Sequence, residues 1–141
     1  ARLMSPTGLF SSENAFTSTG GEIERHLVFM TDGDTVTSNQ GYTAHGVGWW
    51  DRRQTRSNAG PSANILTAVV NERTKALCAA IKSKNITLWV VSFGTGVSSS
   101  AQSLLQSCAS PNRFYVAANS ATLISNFQQI ADEISQLRLT K

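Results

Sequence analysis

The sequence predicts an α/β fold in which a mostly parallel sheet is layered with helices. Three observations predict it. Apolar runs rich in β-branched and aromatic residues alternate with segments of helical period in the order β-α-β-α-β-α. The first two of these runs are almost continuously apolar, as suits strands covered on both faces. The chain has 141 residues, of which 40% are hydrophobic and 15% charged, the range of one domain built on one core. Residues 1–141 are therefore read as a single domain of three-layer, Rossmann-like architecture.

Each element follows from its own residues. Ala1 to Met4 reads like the tail of a helix, which predicts a piece truncated at its N-terminus. His26-Leu27-Val28-Phe29-Met30-Thr31 is the first strand. The polar segment 33–61 comes next, with Gly41, Gly46, Gly48 and Gly60, and it holds Tyr42, Trp49 and Trp50. An insertion this long inside a compact domain is functional or disordered. Its aromatics either form a surface for a partner or fold back over a sheet edge or helix, the commoner behaviour of long loops. Ile65, Leu66, Val69, Val70, Leu77, Ala80 and Ile81 then recur at helical spacing behind Ser62, a capping residue, with Lys82 and Lys84 at the far end. Ile86 to Phe93 is the second strand. Ala101, Leu104, Leu105 and Cys108 make a shorter helix after Ser98, Ser99 and Ser100, closed before Pro111. Arg113 to Ala117 is the third strand, and Leu123, Ile124, Phe127, Ile130, Ala131, Ile134 and Leu137 form the apolar stripe of a last helix behind Ser120. Right-handed crossovers place the first two helices on the same face of the sheet.

Charge and composition exclude several classes. Twelve Lys and Arg against nine acids give a net +3, scattered apart from Arg52, Arg53 and Arg56. A solvated loop explains that cluster, and no basic stripe or groove-reading motif points to nucleic acid. No apolar run approaches the ~20 residues that span a bilayer, and no signal-peptide pattern is present. His26 and His45 have no sequence-local carboxylate or Cys arrangement that would make either a base. Cys78 and Cys108 are too few for a zinc motif. Gly94-Thr95-Gly96 lacks the rest of a phosphate-binding loop and reads as a turn.

Ligands of open α/β sheets bind at the carboxyl ends of strands, where Thr31-Asp32-Gly33-Asp34 lies. An Asp there can hold a divalent cation, although Asp-Gly is also a common turn. The run from His26 to Gly33 resembles the strand and Thr-Asp-Gly element of von Willebrand factor A-type domains, in which that Asp belongs to the metal-ion-dependent adhesion site. Tyr42-Thr43-Ala44-His45-Gly46, Asn71 to Cys78, Leu105 to Ser110 and Gln136 to Thr140 together resemble the C-terminal region of TadG-like proteins of tight-adherence pilus assembly. The resemblance spans nearly the whole chain and implies the C-terminal half of such a domain. It implies Asp32 as a metal-loop remnant and Asp34 as a group outside the direct ligand set. Such a site also takes ligands from an Asp-x-Ser-x-Ser loop after the first strand and a Thr of a second loop; of the three only Asp32 is present, no Asp-x-Ser-x-Ser occurs in the sequence, and the strand that would carry it is expected upstream of Ala1. One carboxylate leaves water to supply nearly all of an octahedral Mg²⁺ shell, so no tightly bound cofactor is expected here, with Mg²⁺ or another divalent cation reserved for a full-length domain.

The resemblance further implies a non-catalytic scaffolding module, periplasmic or otherwise extracytoplasmic. Its parent would be anchored in the inner membrane by a segment outside this chain, and its protein partners would belong to a Flp-type pilus assembly system. Tyr42, Trp49 and Trp50 are the expected partner surface. A competing reading takes Asp32-Gly33-Asp34-Thr35-Val36 as the opening of a haloacid dehalogenase-like phosphatase, with Asp32 as nucleophile, Asp34 as general acid and Ser92 in a second motif. It lacks a Lys and later acids at a strand end, since Asp132 and Glu133 are expected on the solvated side of the last helix. In an oxidising compartment Cys78 and Cys108, on helices that share a face, are expected to form a disulfide; the alternative is two buried thiols. A first strand missing its neighbour would either self-associate or lie beneath residues 33–61.

Overall fold

The structure, a computed structural model, describes residues 4–5, 7–14, 16–17, 20–21, 23–55 and 60–139. Ala1 to Leu3 and Arg56 lie outside them, so the expected helix tail before Met4 and the third arginine of the loop cluster do too. The elements are α1 (Ser11–Asn14), β1 (Arg25–Thr31), β2 (Tyr42–Thr43), β3 (Gly46–Val47), α2 (Gly48–Asp51), α3 (Ala63–Lys82), β4 (Ile86–Phe93), α4 (Ser99–Cys108), β5 (Phe114–Ala117) and α5 (Ser120–Leu139). β1, β4 and β5 form a parallel sheet in that order, with Leu27 beside Leu88 and Val91 beside Tyr115. β2 and β3 form a small antiparallel hairpin. The chain is thus α/β with a parallel three-stranded sheet, compatible with a Rossmann-like fold.

The central strand sets the layers, because alternate residues of β4 feed two cores. Leu88 and Val90 are buried with Cys78 and Ile81 of α3 and Leu105 and Cys108 of α4. Trp89 and Val91 point the other way and pack with Ala117 and with Ile130 of α5. α3 and α4 therefore share one face, as right-handed crossovers require, and α5 covers the other.

Local chemistry fixes the helix ends. The Ser62 hydroxyl accepts the Ile65 N–H and that of Ser98 accepts the Ala101 N–H, each capping its helix. Asn119, rather than Ser120, serves α5: its Oδ1 accepts the Thr122 N–H at 2.9 Å. Lys82 Nζ reaches from the end of α3 to the carbonyls of Ser107 and Ala109, satisfying acceptors left open at the end of α4. Cys78 and Cys108 join the two helices in a disulfide with Cα atoms 5.1 Å apart.

Two predicted apolar stripes turn out narrower. On α3, Cys78 and Ile81 pack into the core with β4 and Leu66 is buried against Gly48, while Ile65, Leu77 and Ala80 face solvent. On α5, Leu123, Ile130 and Ile134 pack on the sheet, while Ile124, Phe127 and Ala131 are exposed; the Leu137 side chain lies outside the described residues. These exposed residues occupy the flank of α5 opposite Asn126, whose amide donates to the Val116 carbonyl of β5. On the face of the sheet that α5 covers, Val28 and Met30 of β1 are 41% and 49% exposed.

Candidate functional site: strand ends and an aromatic knob

The loops that follow β1 and β4 are tied together by a side-chain hydrogen bond. Asp34 Oδ1 accepts the backbone N–H of Ser98, the residue that caps α4, at 2.9 Å. Hydrogen bonding from Ser98, its side chain first and its backbone N–H second, holds the Asp34 carboxyl below the ordinary aspartate range. Asp34 thus clasps the loop after β1 to the loop after β4. Asp32 lies exposed at the end of β1, beside a turn in which the Thr31 hydroxyl donates to the Gly33 carbonyl. Gly94 opposite adopts a φ of +95°, a left-handed conformation that favours glycine.

These residues do not fit a Mg²⁺ shell. One Asp is exposed by itself, the second already accepts an amide, and among the described residues no three His, Cys, Asp or Glu side chains gather as metal ligands would. Ser92 is fully buried and its hydroxyl has no hydrogen-bond partner, so it presents no group to a phosphate outside.

Residues 33–55 are ordered into a knob on the first half of α3. The Thr37 hydroxyl lies 2.8 Å from the Ala63 carbonyl and 2.8 Å from the Thr67 hydroxyl. Gly48 is buried where an added Cβ would come within 2.8 Å of Leu66 Cδ1. The Trp49 N–H donates to the Asn39 carbonyl, the Asp51 carboxylate accepts the Val47 N–H, and Arg73 of α3 donates to the Gln54 carbonyl. Hydrogen bonds from polar side chains, a backbone bond and a glycine therefore anchor the knob, leaving its aromatics outside. Tyr42 is 88% and Trp50 75% exposed, and Trp49 is half exposed against Gly60, its ring 6.1 Å from that of Trp50. The expectation that these aromatics fold back over a sheet edge or helix is not met by Tyr42 and Trp50.

A second cluster was not legible in the sequence. On the α5 face, Trp89 Nε1–H donates to His26 Nδ1 at 3.2 Å, and His26 Nε2 lies 3.8 Å from Glu24. The Arg113 guanidinium sits 4.4 Å over the Trp89 ring and pairs with Glu133. Glu133 also accepts from the Tyr115 hydroxyl and the Gln129 amide. Burial first, and the Glu133 hydrogen bond second, push the Tyr115 phenol up. Two expectations are corrected. Glu133 is drawn toward the sheet by Arg113 and Tyr115 instead of lying in solvent, although Asp132 is exposed. His26 does have a nearby carboxylate, Glu24. Nothing in the spacing of residues 24, 26, 89, 113 and 133 reveals the cluster, because strand pairing and the packing of α5 on the sheet assemble it.

Shallow depressions at the amino ends of the strands are lined by Lys82, Ser110, Pro111 and Arg113, but both cations already have partners within the chain. No helix among the described residues is long and apolar enough to cross a membrane. Compared with known proteins, the chain matches no family model, no curated protein and no solved structure.

Proposed function

We propose that the chain is a non-catalytic protein-interaction module, the C-terminal half of a von Willebrand factor A-type domain, contributing to assembly or anchoring of a Flp-type pilus from the extracytoplasmic side of the inner membrane. The observation that carries the interaction reading is the knob. Trp50 and Tyr42 are exposed on a support braced by Asp51, Asn39 and Leu66, and large aromatics presented at low conformational cost are what binding hot spots use. The parallel β-α-β-α-β-α order and the Thr31-Asp32-Gly33 strand end support the domain type, and the Cys78–Cys108 bridge fits an oxidising compartment. The pilus assignment rests on the sequence resemblance.

The test is site-specific photo-crosslinking in cells assembling Flp-type pili, with the reactive residue at Trp50 and, as a control, at the exposed Leu77 of α3. A discrete adduct with a pilus-assembly protein from position 50, missing from position 77, is expected. Equal adducts from both positions, or none from position 50, would overturn the reading.

A further inference from the structure

The knob that presents Trp50 and Tyr42 also carries charge, with one sign outside and the other turned in. Arg52 ends α2 with a φ of +53° and Arg53 follows it, so both cations come directly after Trp49, Trp50 and Asp51. Both are exposed, the Arg53 side chain at 68%. Asp51 is the single acid between Tyr42 and Thr55. It points inward: one carboxylate oxygen accepts the Val47 N–H at 2.7 Å and occupies the space that a Cβ on Gly46 would need. We infer that the partner of the knob is an acidic segment of another protein, whose carboxylates engage Arg52 and Arg53 while an apolar side chain beside them lies on Trp50 and Tyr42.

Charge and geometry select that chemistry. The second Asp51 oxygen lies 3.7 Å from Arg53, longer than a hydrogen bond, and an exposed pair of this kind contributes little. Arg53 can therefore exchange it for a partner's carboxylate at small cost. Arg73 of α3 adds a third cation where the knob meets the helix. Its bond to the Gln54 carbonyl uses a donor without cancelling the charge, and Glu72, next to it in the chain, is paired with Lys75. Three guanidinium groups thus stand against one carboxylate that the backbone has already engaged. A basic partner would meet like charge there, whereas carboxylates match the planar fork of Arg in paired hydrogen bonds. Nucleic acid would need a longer basic track, since its binding sums many phosphate contacts. Trp, Tyr and Arg are also the side chains in which binding hot spots are richest. The inference rests on the knob being the contact surface and adds the charge of what it contacts.

The experiment is photo-crosslinking from position 50, in cells assembling Flp-type pili, in three backgrounds: native, Arg52→Glu with Arg53→Glu, and Arg52→Lys with Arg53→Lys. Each keeps a side chain at the φ of +53°, so the backbone strain at residue 52 is shared by all three. Equal denaturation midpoints of the purified chains check the fold. Charge reversal is expected to lower the adduct yield about tenfold, and the lysine pair, which keeps the charge and loses the fork, to lower it less. Fragment masses of the native adduct are expected to place it in a stretch of the partner with more Asp and Glu than Lys and Arg. That mapping needs no charge variant, so it decides the matter even where reversal unfolds the chain. A protein adduct undiminished by charge reversal, one lost equally with the lysine pair, or one mapped to a neutral or basic stretch would overturn the inference and leave the protein-interaction reading standing. An adduct with lipid alone, or none from position 50 in the native background, removes that reading and this inference with it.

Discussion

Asp34 and Ser92 show how differently two polar residues near one strand end behave. The Asp34 carboxylate accepts the Ser98 N–H, and its affinity for protons is lowered. A group depressed on folding contributes stability that is full above its unfolded value and is lost as pH falls through the folded one. The Ser98 amide resonance should therefore titrate with a midpoint below the ordinary aspartate range, and Asp34→Asn should abolish that titration. Ser92 is the opposite case, a sealed hydroxyl with no partner. Such a group costs about 1–3 kcal/mol in desolvation without recovering it. Ser92→Ala should leave the denaturation midpoint unchanged or raise it, and a fall of more than about 1 kcal/mol would mean that the hydroxyl is bonded after all. Neither role was readable beforehand. Asp34 looked like part of a metal loop because its partner lies 64 residues away.

At the level of elements, the strands and helices were legible because continuous apolar runs and helical periodicity are local signals. Ser62 and Ser98 cap where capping chemistry places them. The faces of α3 and α5 were less legible, since Ile65, Leu77 and Ile124 fit the period but fall to one side of the contact. Residues 42–51 escaped detection as structure altogether: two-residue strands and a one-turn helix have no period to find, and hydrogen bonds of the backbone and of the Thr43 and Asp51 side chains hold them. That dependence is testable. Gly48→Val should clash with Leu66 and destabilise by roughly 1–3 kcal/mol, typical of overpacking. Trp50→Ala, at an exposed site, should change stability by no more than about 0.5 kcal/mol. Chemical denaturation of the two variants separates the anchored side of the knob from its presenting side.

For the whole molecule, the sheet is incomplete in a particular sense. α5 covers β4 and β5, whereas Val28 and Met30 on that face of β1 remain exposed, as do Ile124 and Phe127 of α5. At the end of β1 the exposed Asp32 and Asp34 have no third His, Cys, Asp or Glu gathered with them among the described residues, so millimolar Mg²⁺ should raise the melting temperature little, because ligand-linked stabilisation scales with occupancy. A large rise that Asp32→Asn removes would show that a divalent cation does bind there.

The Cys78–Cys108 bridge has a mechanical consequence. It closes a loop of 30 residues that contains all of β4, so tension applied to the two ends of the chain passes from α3 to α4 through sulfur and never along the central strand. Pulling can peel β1 and β5 away, but β4 stays looped and slack. An extended chain spans at most ~3.3–3.6 Å per residue, so the bridge hides about 100 Å of contour from the load. In a single-molecule stretching experiment the fully extended length should grow by roughly that amount when a reductant is added. The bridge would then act as a stop that fixes how far this domain can yield while keeping its central strand in reserve for rewinding.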